Sequence, residues 1–228
     1  MRYALLVLLV LLCSVSPAAA QVSVGIGLPR VNVGIALPSV SLGIHLPSFP
    51  SLVVVPGYPV YYAPRLDTNL FFYDGLYWVY QGDNWYESSW YNGPWQPVAP
   101  EAVPAFVLRI PVRYYRHPPA SWAGWRSDAP PRWGNQWGHD WEQSRSGWDR
   151  WDRRSAQPLA PLPVYQRPYS GNRYPVVERQ QVLFSQKYRY QPRDPVVLQH
   201  FQQHRPQGQG EGQEQGNEKG HKKDQGHK

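Results

Sequence analysis

The chain has almost no sulfur. Its one cysteine, Cys13, and its one methionine, Met1, both lie in the first thirteen residues. Those residues read as an export signal. Arg2 supplies the positive end, Ala4 to Leu12 is an apolar run, and Pro17-Ala18-Ala19-Ala20 is a small-residue cleavage site before Gln21. Cleavage after Ala20 leaves a chain without cysteine, which excludes disulfides, a thiolate metal centre and a cysteine nucleophile. Any fold formed in an oxidising compartment then rests on apolar burial alone.

Long apolar runs are missing too. A spanning helix needs about 20 apolar residues, so Ala4–Leu12 is too short to remain as an anchor. Leu12 before Cys13 also argues against lipid attachment. The expectation is a periplasmic or secreted protein of 21–228. Catalytic signatures are absent as well: no nucleophile elbow, phosphate-binding glycine loop, zinc-protease helix or dinucleotide fingerprint occurs. No catalytic residue, metal site or cofactor is expected. His200 and His204 stand four apart, a metal-clip spacing without a third ligand nearby in sequence. Charge is modest, falling from +7 to +6 when Arg2 is lost, which favours anionic partners without selecting one.

Proline and ring-bearing residues are abundant. There are 25 prolines and 19 glycines, and tyrosine and tryptophan total 27 against six phenylalanines. Tyrosine and tryptophan combine apolar area with a polar handle, so they suit interfaces and half-wet cores. Residues 22–48 are three nonapeptides, VSVGIGLPR, VNVGIALPS and VSLGIHLPS, whose apolar residues alternate with strand period. Pro29, Pro38 and Pro47 close them. Segment 21–51 is therefore expected to be an extended arm, a strand donor if it pairs with anything.

Segment 52–115 is the expected core. Leu52–Val55 and Tyr58–Tyr62 are strand-like around Pro56-Gly57. From Leu70 to Val98, eleven of 29 residues are aromatic. Asp74-Gly75 and Gly82-Asp83 are two-residue hairpin turns, and Asp74 and Asp83 read as turn formers rather than an acid–base pair. This register pairs Phe71 with Trp78, Phe72 with Tyr77 and Tyr80 with Trp85. One face then carries Phe71, Tyr73, Leu76, Trp78, Tyr80 and Trp85; the other carries Leu70, Phe72, Tyr77, Val79 and Tyr86. Phe106–Tyr114 is read as a covering strand in preference to a short helix over Glu101–Leu108.

Segment 116–155 carries Trp133, Trp137, Trp141, Trp148 and Trp151, which share an arc of about 80° at 100° per residue. The spacing predicts one tryptophan-striped helix starting at Pro131, despite Gly134, Gly138 and Gly147. Segment 156–205, rich in proline and glutamine, reads as irregular. Segment 206–228 has no apolar residue to offset ordering entropy and reads as a disordered polar tail. The fold class expected is a small mainly-β domain, an aromatic antiparallel meander, with one tryptophan-striped α-helix and long disordered flanks.

Two surfaces stand out. Trp78, Tyr80, Trp85, Trp90 and Trp95 are the candidate ligand platform, since such rings stack on sugars beside Asp83, Asn84, Asn92 and Gln96. The Trp133–Trp151 stripe is the candidate partner or membrane face. The expected partner is envelope glycan, with an envelope protein or a membrane surface as alternative; export disfavours nucleic acid. If the stripe and Phe106–Tyr114 both dock on the meander, the platform is a core.

The runs VPGYPVYYAP, FFYDGLYWVYQGDNWYESSWYNGPW, VPAFVLRIPVRYYR and PPRWGNQWGHDWE resemble an uncharacterised group of exported, aromatic-rich proteins of Gram-negative bacteria. The resemblance covers about residues 52–195. It implies a periplasmic or envelope location and carries over no activity and no functional residues.

Overall fold

The computed structural model describes residues 39, 42–152 and 156–205. The expected signal peptide, the first two nonapeptides apart from Ser39, and the polar tail lie outside the described residues.

Six antiparallel strands follow one another across one sheet: β1 (Val53–Val54), β2 (Val60–Tyr62), β3 (Asn69–Tyr73), β4 (Leu76–Gln81), β5 (Asn84–Ser88) and β6 (Gln96–Val98). The central pairs Phe71–Trp78, Phe72–Tyr77 and Tyr80–Trp85 are the ones the two-residue turns require. Asp74 and Asp83 take positive φ at those turns, 49° and 62°. Asp tolerates this backbone better than most residues because its short polar side chain bonds locally. The meander thus forms as its turns dictate.

Both faces are covered. On the first, Phe71 meets Tyr115, Tyr73 meets Phe106, Tyr80 meets Trp122 and Trp133, and Trp78 meets His200, with ring centroids 5.1–5.7 Å apart. On the second, the Tyr77 hydroxyl donates to Gln166 Oε1 at 3.3 Å, with Tyr165, Tyr174 and Tyr188 close by.

Three expectations about the covers are corrected. Phe106–Tyr114 is not a strand. Pro104 and Pro111 bracket a single α-helical turn, α1 (Ala105–Leu108), followed by a 3-10 turn over Val112–Tyr114. Proline fixes φ and withholds its donor, so two prolines seven apart leave room for a turn but none for a ladder.

The tryptophan stripe is not one helix. α2 (Trp133–Trp137) and α3 (His139–Ser144) are separated at Gly138, whose φ of 88° lies outside any helix, and Trp148 and Trp151 lie beyond both. The glycine cost expected for one long helix is expressed as a break.

Segment 156–205 is not irregular throughout. It contains α4 (Val177–Lys187) and α5 (Pro195–Gln203). Asp194 caps α5 by accepting from the Val196 N–H at 2.9 Å, and Pro195 opens the first turn. Phe184 of α4 packs on Phe201 of α5 at 4.7 Å, and Phe201 lies against Gly75 at the β3–β4 turn. Among the described residues, no helix is long and apolar enough to cross a membrane.

Candidate functional site: a tryptophan–arginine cleft

The five rings of the expected platform are all inside. Trp78 and Trp90 are fully buried, Trp85 is 1% exposed, and Tyr80 and Trp95 are 2% exposed. Trp90 is boxed edge-on by Tyr165, Tyr169 and Tyr174, and its indole N–H donates to the Gln180 carbonyl at 3.2 Å. The Tyr80 hydroxyl accepts from Gln136 Nε2 and donates to Asp83 Oδ1. A sugar cannot stack on a ring whose faces are already covered. The polar residues paired with the platform are engaged too, Asn92 by the Leu46 N–H and Asn84 by the Gly82 carbonyl.

The stripe divides. Trp133 is fully buried and donates to the Leu108 carbonyl at 2.9 Å; Trp141 is 3% exposed. Trp151 packs on Tyr58 and Phe106, with the Arg109 guanidinium above its ring. Trp137 and Trp148 remain half-buried. Arg145 fastens the segment by donating to the Glu101 and Val103 carbonyls, and Arg109 donates to those of Trp148 and Arg150. Burial lowers the pKa of both guanidiniums, yet their range keeps them charged.

What this folding leaves open is a cleft of about 520 Å³ between two parts of the tryptophan-rich segment. The half-buried Trp125 and Trp148 line it together with the buried Trp133. Arg126, Arg132 and Arg150 are exposed there, as are Asn135, Glu142 and Asp149. Trp125 stacks on Trp122 at 5.3 Å and 14°, with the Arg132 guanidinium 5.8 Å from its ring centre. These contacts fix its orientation. Arg126 pairs through two nitrogens with exposed Asp128, which raises the Arg126 pKa and lowers that of Asp128. The cleft depends on the glycines. At Gly134 a Cβ would stand 2.6 Å from Glu142 Oε2, and Gly138 turns the chain so that α3 brings Glu142 there.

Sequence reasoning named Trp148 but placed it on a helix face, and it passed over Trp125 altogether. The local signal for Trp125 was the recurrence of tryptophan and arginine in SWAGWRSDAPPRW. At 100° per residue Trp125 falls about 80° outside the arc of the other five.

A second polar group gathers at Glu87, a 1%-exposed carboxylate on β5. His204 Nε2 meets its Oε2 at 2.8 Å, while His200 Nε2 donates to the Ala102 carbonyl. His204 thus ties the end of α5 to β5, and His200 ties α5 to the 3-10 turn over Pro100–Ala102. Among the described residues no group of three or more His, Cys, Asp or Glu side chains is arranged to hold a metal ion.

Comparison with protein-family models, with curated proteins and with solved structures found no match. The functional reading rests on the residues themselves.

Proposed function

We propose that this is an exported, non-catalytic envelope protein that binds cell-envelope polysaccharide in the cleft between Trp125 and Trp148. The observation that carries the reading is the contrast in exposure. The meander spends its rings on its own core, whereas Trp125 and Trp148 offer part of their surface beside exposed guanidinium, amide and carboxylate groups. The half-exposed indoles supply apolar area for a sugar ring to pack against, and fixed donors and acceptors around them select its hydroxyls.

The test is retention of the chain from Gln21 onward on insoluble peptidoglycan and on immobilised lipopolysaccharide. Trp125→Ala with Trp148→Ala should weaken retention about tenfold or more, as loss of roughly 1.4 kcal/mol of ring contact requires. Both rings are only half-buried, so the double variant should keep a native melt. If neither polymer retains the wild-type chain, or a folded double variant is retained equally, the reading fails.

A further inference from the structure

The third nonapeptide, 40–48, is the one repeat whose path is described, from Leu42 on, and it is seated on the body. Leu46 is 6% exposed, and Leu42 and Ile44 pack against the core. The Leu46 N–H donates to Asn92 Oδ1 at 2.9 Å, and the Leu42 carbonyl accepts from Gln81 Nε2 at 3.0 Å. Gly43 makes the bend between them with φ of 67°.

Aligned on this seat, the repeats agree at the buried leucine, at the bend and at the proline that closes them. Gly43, Ile44, Leu46 and Pro47 correspond to Gly34, Ile35, Leu37 and Pro38, and to Gly25, Ile26, Leu28 and Pro29. Position 42 is apolar in all three, as Val24, Val33 and Leu42. The two hydrogen bonds use backbone atoms of the repeat and so do not depend on its side chains. Glycine at the bend is needed because L-residues rarely adopt that φ. The repeats differ at Ser23, Asn32 and Ser41, at Gly27, Ala36 and His45, and at Arg30, Ser39 and Ser48, and both His45 and Ser48 are exposed. Among the described residues there is one such seat, and the sequence holds three segments that share the pattern of the one seated there.

We propose that the seat formed by Gln81, Asn92 and the apolar surface beneath Leu46 also takes the first or second nonapeptide of another copy of this chain, linking copies arm to body. Trading one nonapeptide for another exchanges the same buried leucine, the same bend and the same two backbone bonds, which is the low-cost logic of a swapped segment. The tether of the third repeat favours its own chain at low concentration, so linkage grows by mass action as copies are crowded. Arm and seat are different surfaces, so the contact is heterologous: a copy that donates an arm keeps its own seat, and a copy whose seat is filled keeps its arms. A cleft of about 790 Å³ runs beside the docked repeat, between it and Arg65–Asn69, and gives an incoming arm an approach. This linkage is independent of glycan binding at Trp125 and Trp148.

Two measurements test it on the chain from Gln21 onward. In light scattering over a roughly hundredfold concentration range, the wild type should gain mass while Leu28→Asp with Leu37→Asp stays monomeric, because that variant spoils only the spare repeats. A labelled peptide of residues 31–39 should bind Leu46→Asp at least about tenfold tighter than wild type, since the tethered competitor is then weakened. Adding Asn92→Ala to Leu46→Asp should remove that gain. Self-association unchanged in the Leu28/Leu37 variant, or constant monomer mass in the wild type, overturns the proposal. Equal peptide binding by all three proteins overturns it too. A thermal melt of Leu46→Asp checks that its body is intact, and the Leu28/Leu37 variant decides the matter if it is not.

Discussion

Gln166 is the residue on which the second face of the sheet turns. It is fully buried, yet all of its hydrogen-bonding directions point at a partner. Oε1 accepts from the Tyr77 hydroxyl and the Tyr91 N–H, both at 3.3 Å, and Nε2 donates to the Ser89 carbonyl and the Tyr165 hydroxyl. Such a side chain is worth little net while satisfied and much when removed, because its partners stay buried without replacements. Gln166→Leu keeps most of the volume and should cost about 3 kcal/mol in urea unfolding; a loss under about 1 kcal/mol would show that the surroundings relax around it. Asp74 gives a residue-scale prediction with a sign. Desolvation raises its pKa, opposed by the Tyr190 hydroxyl and the N–H groups of Arg193 and Asp194. The folded chain therefore holds this proton more tightly than the unfolded one. The stability so contributed is present in acid and is lost as pH rises through the raised value. Asp74→Asn, which tolerates the same positive φ, should remove that loss. Unfolding midpoints measured at several pH values above the ordinary aspartate range should show wild type declining with pH relative to the variant. Parallel curves would mean that Asp74 titrates alike in both states.

Between elements, one tight fit is where the β3–β4 turn meets α5. Gly75 has φ of 102°, and a Cβ there would lie 3.0 Å from Phe201 and 3.2 Å from Tyr190. Gly82, at the equivalent turn between β4 and β5, has φ of 56° and open space around it. Alanine at Gly82 should cost about 1 kcal/mol from backbone strain, and alanine at Gly75 about 1–3 kcal/mol more because α5 must also shift. Equal melting points for the two variants would mean that α5 is not seated on the turn. The same pair of turns explains what the sequence made legible. Alternation and two-residue turns specify register locally, so the central hairpins could be drawn pair by pair. The covers could not, since their conformations answer to tertiary contacts. AFVLRIPVRYY has strand-like alternation, but Pro104 and Pro111 cut it to one turn whose Val107 and Leu108 are buried in the core. The tryptophan arc matched a helix in angle, yet Gly138 breaks it, and that break opens the cleft at Trp125 and Trp148. The start of α5 was readable: Asp194-Pro195 is an N-cap followed by a first-turn proline. It went unread because the proline-rich composition around it suggested irregular chain.

At the scale of the whole molecule, the meander is a core only because distant parts of the chain close over it. Tyr73 reaches Asp194 across 121 residues, Glu87 reaches His204 across 117 and Asp74 reaches Tyr190 across 116. Trp90 and Tyr77 find their partners 90 and 89 residues away. Closing such contacts costs chain entropy before any of them is formed, so the sheet, α4 and α5 should become stable together rather than in turn. A chain ending at Asp152 would keep all six strands and the cleft residues, yet leave Trp78, Trp90 and Tyr77 without the groups that cover them. Exposed aromatic area of this kind costs about 25 cal/mol per Å², and each of these rings presents roughly 150–250 Å². The loss from three rings is comparable with the entire stability of an ordinary domain. The shortened chain is therefore expected to lack a cooperative thermal transition and to show red-shifted, quencher-accessible tryptophan emission, whereas the full chain melts in one step with most of its eleven tryptophans shielded. A cooperative melt from the shortened chain, within a few degrees of the full one, would mean that the meander is a domain in its own right. Segment 156–205, whose composition suggests irregular chain, would then be a cover the core does not need.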